Sequence, residues 1–229
     1  QISGSLSRII LESNVEIQDN NMAGIPAILL FNLWYIWTMA DNGYALVTGA
    51  AHRVGRIIAL SLAKRGFNIL VHYNSSSDLA EKTVMELRSL GVQAYPFRAN
   101  LAVFLEIEDL FSFVDTLSSP LEILVNSAAI MERTDLDKVS LESWERIMNI
   151  NLRSPFFCCL LAAKRMRGKA NIINIADASV HKSRKDFPVY SLSKMGLEDL
   201  TVILARKFAP QVRVNGIALG YFLPSSEYD

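Results

Sequence analysis

The 229-residue sequence carries 23 basic and 23 acidic side chains and no formal net charge, so no long-range field draws it to nucleic acid or to an anionic bilayer. Its length suits one α/β domain with a full core and is short for two. Its two cysteines, Cys158 and Cys159, are adjacent in an apolar run; they offer neither a disulfide framework nor metal-ligand spacing, and they suit a buried pair in a reducing, cytoplasmic setting.

Residues 1–38 read as an N-terminal extension, and residues 39–229 as the domain. No charge occurs between Asp19 and Asp41, and the apolar run 22–38 approaches the length that crosses a bilayer. Pro26 and Asn32 interrupt the run, and Arg8 is a poor positive flank for a signal peptide. Membrane contact, an arm that packs on a partner, and a stretch upstream of the natural start at Met39 are the three readings of it.

From Tyr44 onward, short β-branched or apolar runs alternate with helical periods. The strands expected are YALVT, NILVHY, QAYPF, EILVN, NIINI and VRVNGIA, and the helices are 54–64, 78–89, 103–117, 141–166 and 189–208. That alternation predicts a three-layer α/β/α fold with a Rossmann-type, doubly wound parallel sheet. Its ligand crevice would lie at the carboxyl ends of the strands.

The first strand runs into Thr48-Gly49-Ala50-Ala51-His52-Arg53-Val54-Gly55. Gly49 permits a tight turn and Gly55 a close helix approach, while the helix amides behind them face a pyrophosphate. Arg53 stands where a second glycine is frequent and sets a cation at the mouth. The second strand ends in His72-Tyr73-Asn74-Ser75-Ser76 without the acid that would hold a ribose 2′-hydroxyl. His72, the serines and Arg53 would instead accommodate a 2′-phosphate, so NADPH is expected over NADH.

Tyr190 and Lys194, four apart at a helix start, share one face. An ammonium near a phenol eases release of its proton to a developing anion.

The run Tyr44–Gly220 resembles the short-chain dehydrogenase/reductase family in motif content, order and spacing. TGAAHRVG resembles its cofactor loop and Asn100-Leu101 its adenine-contacting acid-leucine pair. Asn126-Ser127-Ala128-Ala129 resembles its Asn-Asn-Ala-Gly stretch, and YSLSK its Tyr-x-x-x-Lys. The resemblance implies Tyr190 as proton donor, Lys194 as its electrostatic partner and ribose anchor, and Asn151 as holder of a water in a proton relay. It also implies a homodimer or homotetramer.

The family serine, thirteen residues before the tyrosine, is Asp177 here. Asp177 together with Arg53 resembles the pteridine reductases and dihydromonapterin reductases, which implies hydride transfer to a pterin-type C=N. The substrate site would then comprise Arg53, Met131, Asp177 and Tyr190. Met131 and Ala129 depart from that subgroup's aromatic and polar positions. Asn100 replaces an acid, and Leu219-Gly220 stands for Pro-Gly. Against the length of family members the C-terminal part reads as truncated. Three functions are therefore weighed: reduction of a pterin or carbonyl, reduction of a 3-oxoacyl thioester or ketone, and a non-catalytic NADP-binding module. No metal is expected.

Overall fold

Strands buried on both faces of a parallel sheet must be apolar throughout, and the central strands of this chain meet that demand. The computed structural model describes residues 43–220 except 169, 183 and 184. The expected extension 1–38, its apolar run and the stretch after Gly220 lie outside the described residues. In chain order the elements are β1 (Tyr44–Val47), α1 (Arg53–Ala63), β2 (Asn68–Tyr73), α2 (Ser77–Ser89), β3 (Ala94–Arg98), α3 (Phe104–Val114), β4 (Leu121–Asn126), α4 (Leu141–Met148), α5 (Ser154–Arg165), β5 (Ala170–Asp177), α6 (Pro188–Phe208) and β6 (Val212–Leu219).

All strands are parallel, in the order β3-β2-β1-β4-β5-β6. The order reverses between β1 and β4, which opens a crevice at their carboxyl ends. Alternation along each strand fills two cores. Ala45, Val47, Val71 and Val125 pack against Ile58 and Leu62 of α1 and Val84 and Leu87 of α2. Leu46, Leu70 and Leu124 pack on the other face against Phe111 of α3, Cys158 and Cys159 of α5 and Leu197 and Leu200 of α6. The cysteines are the buried pair expected.

One helix was expected across 141–166; the structure divides it. A π-helical turn, Asn149–Arg153, joins α4 to α5, and the Ser154 amide donates to the Asn149 carbonyl. Pro155 has no N–H, so it cannot make the α-helical bond to Asn151, and the chain widens there.

Asn126, expected to touch a cofactor, points into the core instead. Its Nδ2 donates to Asn174 Oδ1 at 2.8 Å and to Cys159 Sγ at 3.3 Å. Asn174 Nδ2 donates to Thr201 Oγ1 at 2.9 Å, and that hydroxyl donates to the Leu197 carbonyl at 2.7 Å. A buried amide so satisfied on both sides ties β4 to β5 and β5 to α6. Asn174→Ala leaves two buried partners unmatched and should cost about 3 kcal/mol. The check is urea unfolding, with a lower midpoint and an unchanged slope.

Candidate active site

The crevice is shaped first by glycines. Gly49 has φ +66, and a Cβ on Gly55 would lie 2.2 Å from the Gly49 carbonyl oxygen, so only glycine lets α1 start this close to the loop. Arg53 takes a left-handed φ of 51, a conformation that suits the glycine often found there better than an arginine. Its side chain is exposed at the mouth of a cleft of about 330 Å³.

The cleft gathers most of the expected cofactor residues. Gly49 and Arg53 to Gly55 form its floor, Tyr73, Asn74 and Ser75 one flank, Asn100 and Leu101 the next, and Ser127 and Ala128 the side toward β5. Asn100 accepts the Ala102 amide on its Oδ1 at 3.0 Å, while its own amide donates to Glu106 at 2.7 Å. The residue that replaces the acid thus also shapes its own loop. Lys194 and Gly220 are not part of the cleft wall; Gly220 is the exposed residue after β6.

His72 corrects the expectation of a ring offered to a phosphate. It is buried; its Nδ1 accepts from the Gly49 amide at 3.1 Å, and its Nε2 lies 2.9 Å from the Ala99 carbonyl. A carbonyl only accepts, so the proton sits on Nε2 and the ring is neutral. Burial pushes the His72 pKa down to about 4. The ring lines the cleft as a brace between the phosphate loop and the loop after β3, and brings no cation.

At the far end, Pro188 starts α6 and so sets Tyr190 in its first turn. Tyr190 Oη donates to Asp177 Oδ2 at 2.7 Å, and Asp177 Oδ1 accepts the Ser179 amide at 2.7 Å. Lys194 lies one turn on, 3% exposed, with Nζ donating to the Ile175 carbonyl at 2.7 Å. Burial lowers the Lys194 pKa from 10.5 to about 8, against the opposing pull of the Asp177 carboxylate. Asp177 thus links the two, Tyr190 by a hydrogen bond and Lys194 by its charge.

Asn151 joins that end through the loop after β4. Its Oδ1 accepts the Ile130 amide and its Nδ2 donates to the Ile130 carbonyl, both at 2.9 Å, with Ser193 Oγ at 3.1 Å from Nδ2. Both side-chain amide protons are committed, and the side chain clamps the loop after β4. The group that Pro155 deprives of its helical donor is the Asn151 backbone carbonyl. Ala129 and Met131, on either side of Ile130, are exposed; Ala129 lines the cleft and Met131 does not.

Two features went unread in the sequence. Thr48 Oγ1 accepts the amides of Ser127 and Ala128, each at 3.0 Å, and pins the loop after β4 to the end of β1. Ile130 and Ile150 supply apolar wall. The threonine of TGAA was the available signal for the first; nothing in the pattern marked the isoleucines. Among the described residues no helix is long and apolar enough to cross a membrane, and no three His, Cys, Asp or Glu stand together as metal ligands.

The family model described as short chain dehydrogenase matches residues 43–227. The chain is 33% identical over 184 residues to the 2-dehydro-3-deoxy-D-gluconate 5-dehydrogenase of Formosa agariphila, covering 79% of this chain and 70% of that protein. It is 31% identical over 185 residues to the 3-oxoacyl-(acyl-carrier-protein) reductase FabG of Staphylococcus epidermidis, covering 80% and 76%. Among solved structures it superposes on FolM alternative dihydrofolate reductase 1 from Brucella canis, complexed with NADP, with a TM-score of 0.77 and 31% identity. That alignment covers 82% of this chain and 75% of the other.

The buried ammonium supplies a direct check on this geometry. By NMR titration Lys194 should lose its charge as pH rises through about 8. Asp177→Asn removes the carboxylate that holds the value up, so the midpoint should move to lower pH. A midpoint that stays put would show that the two groups do not sense each other.

Proposed function

This chain belongs to the short-chain dehydrogenase family, and from that premise we propose that it is an NADPH-dependent reductase of a pterin-type C=N or a carbonyl. The observation that carries this is the 2.7 Å bond from Tyr190 to Asp177. An ionised carboxylate can only accept, so the proton of that pair lies on the phenol, where an acid for a reduction needs it.

When bound, NADPH supplies the hydride. The residues that would hold it are those of the cleft: the glycine-shaped loop and the α1 amides for the pyrophosphate, and Asn74, Ser75 and Arg53 for a 2′-phosphate. The cleft wall after β2 contains no acid, which favours the phosphorylated cofactor. Of Brucella canis FolM and of the angucycline C-6 ketoreductase LanV, the solved structures hold NADP, which supports the same preference.

The reaction needs a proton at the atom beside the carbon that receives hydride. Tyr190 gives it, and Asp177 keeps the phenol aimed and protonated until the substrate atom replaces the carboxylate as acceptor. The phenolate left behind is stabilised by the Lys194 ammonium one helical turn away. Arg53, Met131, Asp177 and Tyr190 are the residues proposed to meet the substrate. Asp177 in place of a neutral hydroxyl suits a basic ring nitrogen, and this is the reason to favour the pterin class.

The alternative, a 3-oxoacyl thioester or ketone, is favoured by the likeness to FabG and LanV and by a methionine at position 131, which adapts to varied shapes. The test is NADPH oxidation across dihydropterins and 3-oxoacyl esters, with Tyr190→Phe beside the wild type. Turnover should fall by about 10²–10⁴-fold in the variant, with NADPH affinity little changed. Equal turnover would refute Tyr190 as the acid, and tight binding without turnover on any substrate would mark a cofactor-binding module.

A further inference from the structure

The π-helical turn Asn149–Arg153 reaches both ends of the cleft. Ile150 is part of the cleft wall. Asn151 clamps Ile130 by both its backbone groups. Two residues on, Arg153 Nη2 donates to the Ala102 carbonyl, while the Ala102 amide is taken by Asn100 Oδ1 at 3.0 Å. Ala102 directly follows Asn100 and Leu101, which line the cleft beyond β2.

Strand order fixes which end is which. The loops after β2 and β3 lie on one side of β1, and the loops after β4 and β5, with Tyr190, lie on the other. A dinucleotide whose reactive ring meets Tyr190 places its adenosine half against Asn74 and Asn100-Leu101.

We propose that Arg153 is a positioning residue that ties the adenosine end of the cleft to the Asn151 clamp at the reactive end. It rests on the dinucleotide reading of the cleft given above. Arginine has the reach and the permanent charge for a strong bond to a carbonyl. Its Nε is buried without a partner, a desolvation cost that a side chain serving only solubility would avoid by turning outward. The helices that follow Ala102 and Arg153 also meet through rings: the centroids of Phe104, at the start of α3, and Phe157, in α5, are 4.7 Å apart with the rings at 61°. Seating adenosine steadies the loop 100–102, and through Arg153 steadies the turn that carries Asn151. The clamp on Ile130 tightens before any substrate arrives.

The probe is adenosine 2′,5′-bisphosphate, which fills only the distal half. Calorimetry gives its affinity, and the exchange rate of the Ile130 amide, bonded to Asn151 at 2.9 Å, reports the clamp. In the wild type the probe should slow Ile130 exchange. In Arg153→Met it should bind about tenfold more weakly, as expected for loss of a charged hydrogen bond. At saturation it should then leave Ile130 exchange unchanged, and Arg153→Lys should restore part of both effects.

No binding to the wild type would overturn the dinucleotide reading and this inference with it. Binding with no effect on Ile130 in the wild type, or the same effect in Arg153→Met, would overturn the inference alone. The wild-type arm decides even if Arg153→Met fails to fold.

Discussion

One threonine hydroxyl holds the point on which the rest of the structure turns. Thr48 Oγ1 takes the amides of Ser127 and Ala128 at the place where the strand order reverses. Two parallel strands diverge at their carboxyl ends there, and their loops would part without a tie. With the tie, the Gly49 turn and the loop after β4 face each other closely. A Cβ on Gly49 would come within 3.0 Å of the Ala128 Cα, which is the measure of how close that facing is.

From that point the site extends in both directions by short polar braces. Toward β3, His72 spans Gly49 and Ala99 as a neutral ring. Toward α6, Asn126, Asn174 and Thr201 connect β4, β5 and the helix of Tyr190 and Lys194. Asn151 closes the circuit by gripping Ile130. Each brace is buried and hydrogen-bonded, so the positions of Tyr190 and Asp177 are set by the core rather than by flexible loops.

Much of this could be read from residue order. The six strands, and the helices other than the divided 141–166 stretch, emerged with boundaries within a few residues, because short continuous apolar runs alternate with helical periods in this chain. Asp177, Tyr190 and Lys194 were legible through the resemblance of YSLSK, and of the position thirteen residues before its tyrosine, to the family motif. What the letters did not carry was direction. His72 and Asn126 sit at the carboxyl ends of strands, where a one-residue change of face separates the cleft from the core; both proved to be braces. Asn151 lies in the π-helical turn ahead of Pro155, and its side chain grips the loop after β4, a partner that residue order alone does not give. The break between α4 and α5 has its signal in Pro155 within a helical run.

The central claim is that Asp177 holds Tyr190 as a protonated acid, ready for reduction. The most direct measurement is NMR of the protein with its tyrosines carbon-labelled at the ring atom that bears oxygen, with Tyr190→Phe to assign the signal. The account predicts a phenol signal for Tyr190 at neutral pH, with its hydroxyl proton protected from exchange by the bond to Asp177 and lost to rapid exchange in Asp177→Ala. A phenolate signal for Tyr190 at neutral pH, or a hydroxyl proton indifferent to the loss of Asp177, would contradict it.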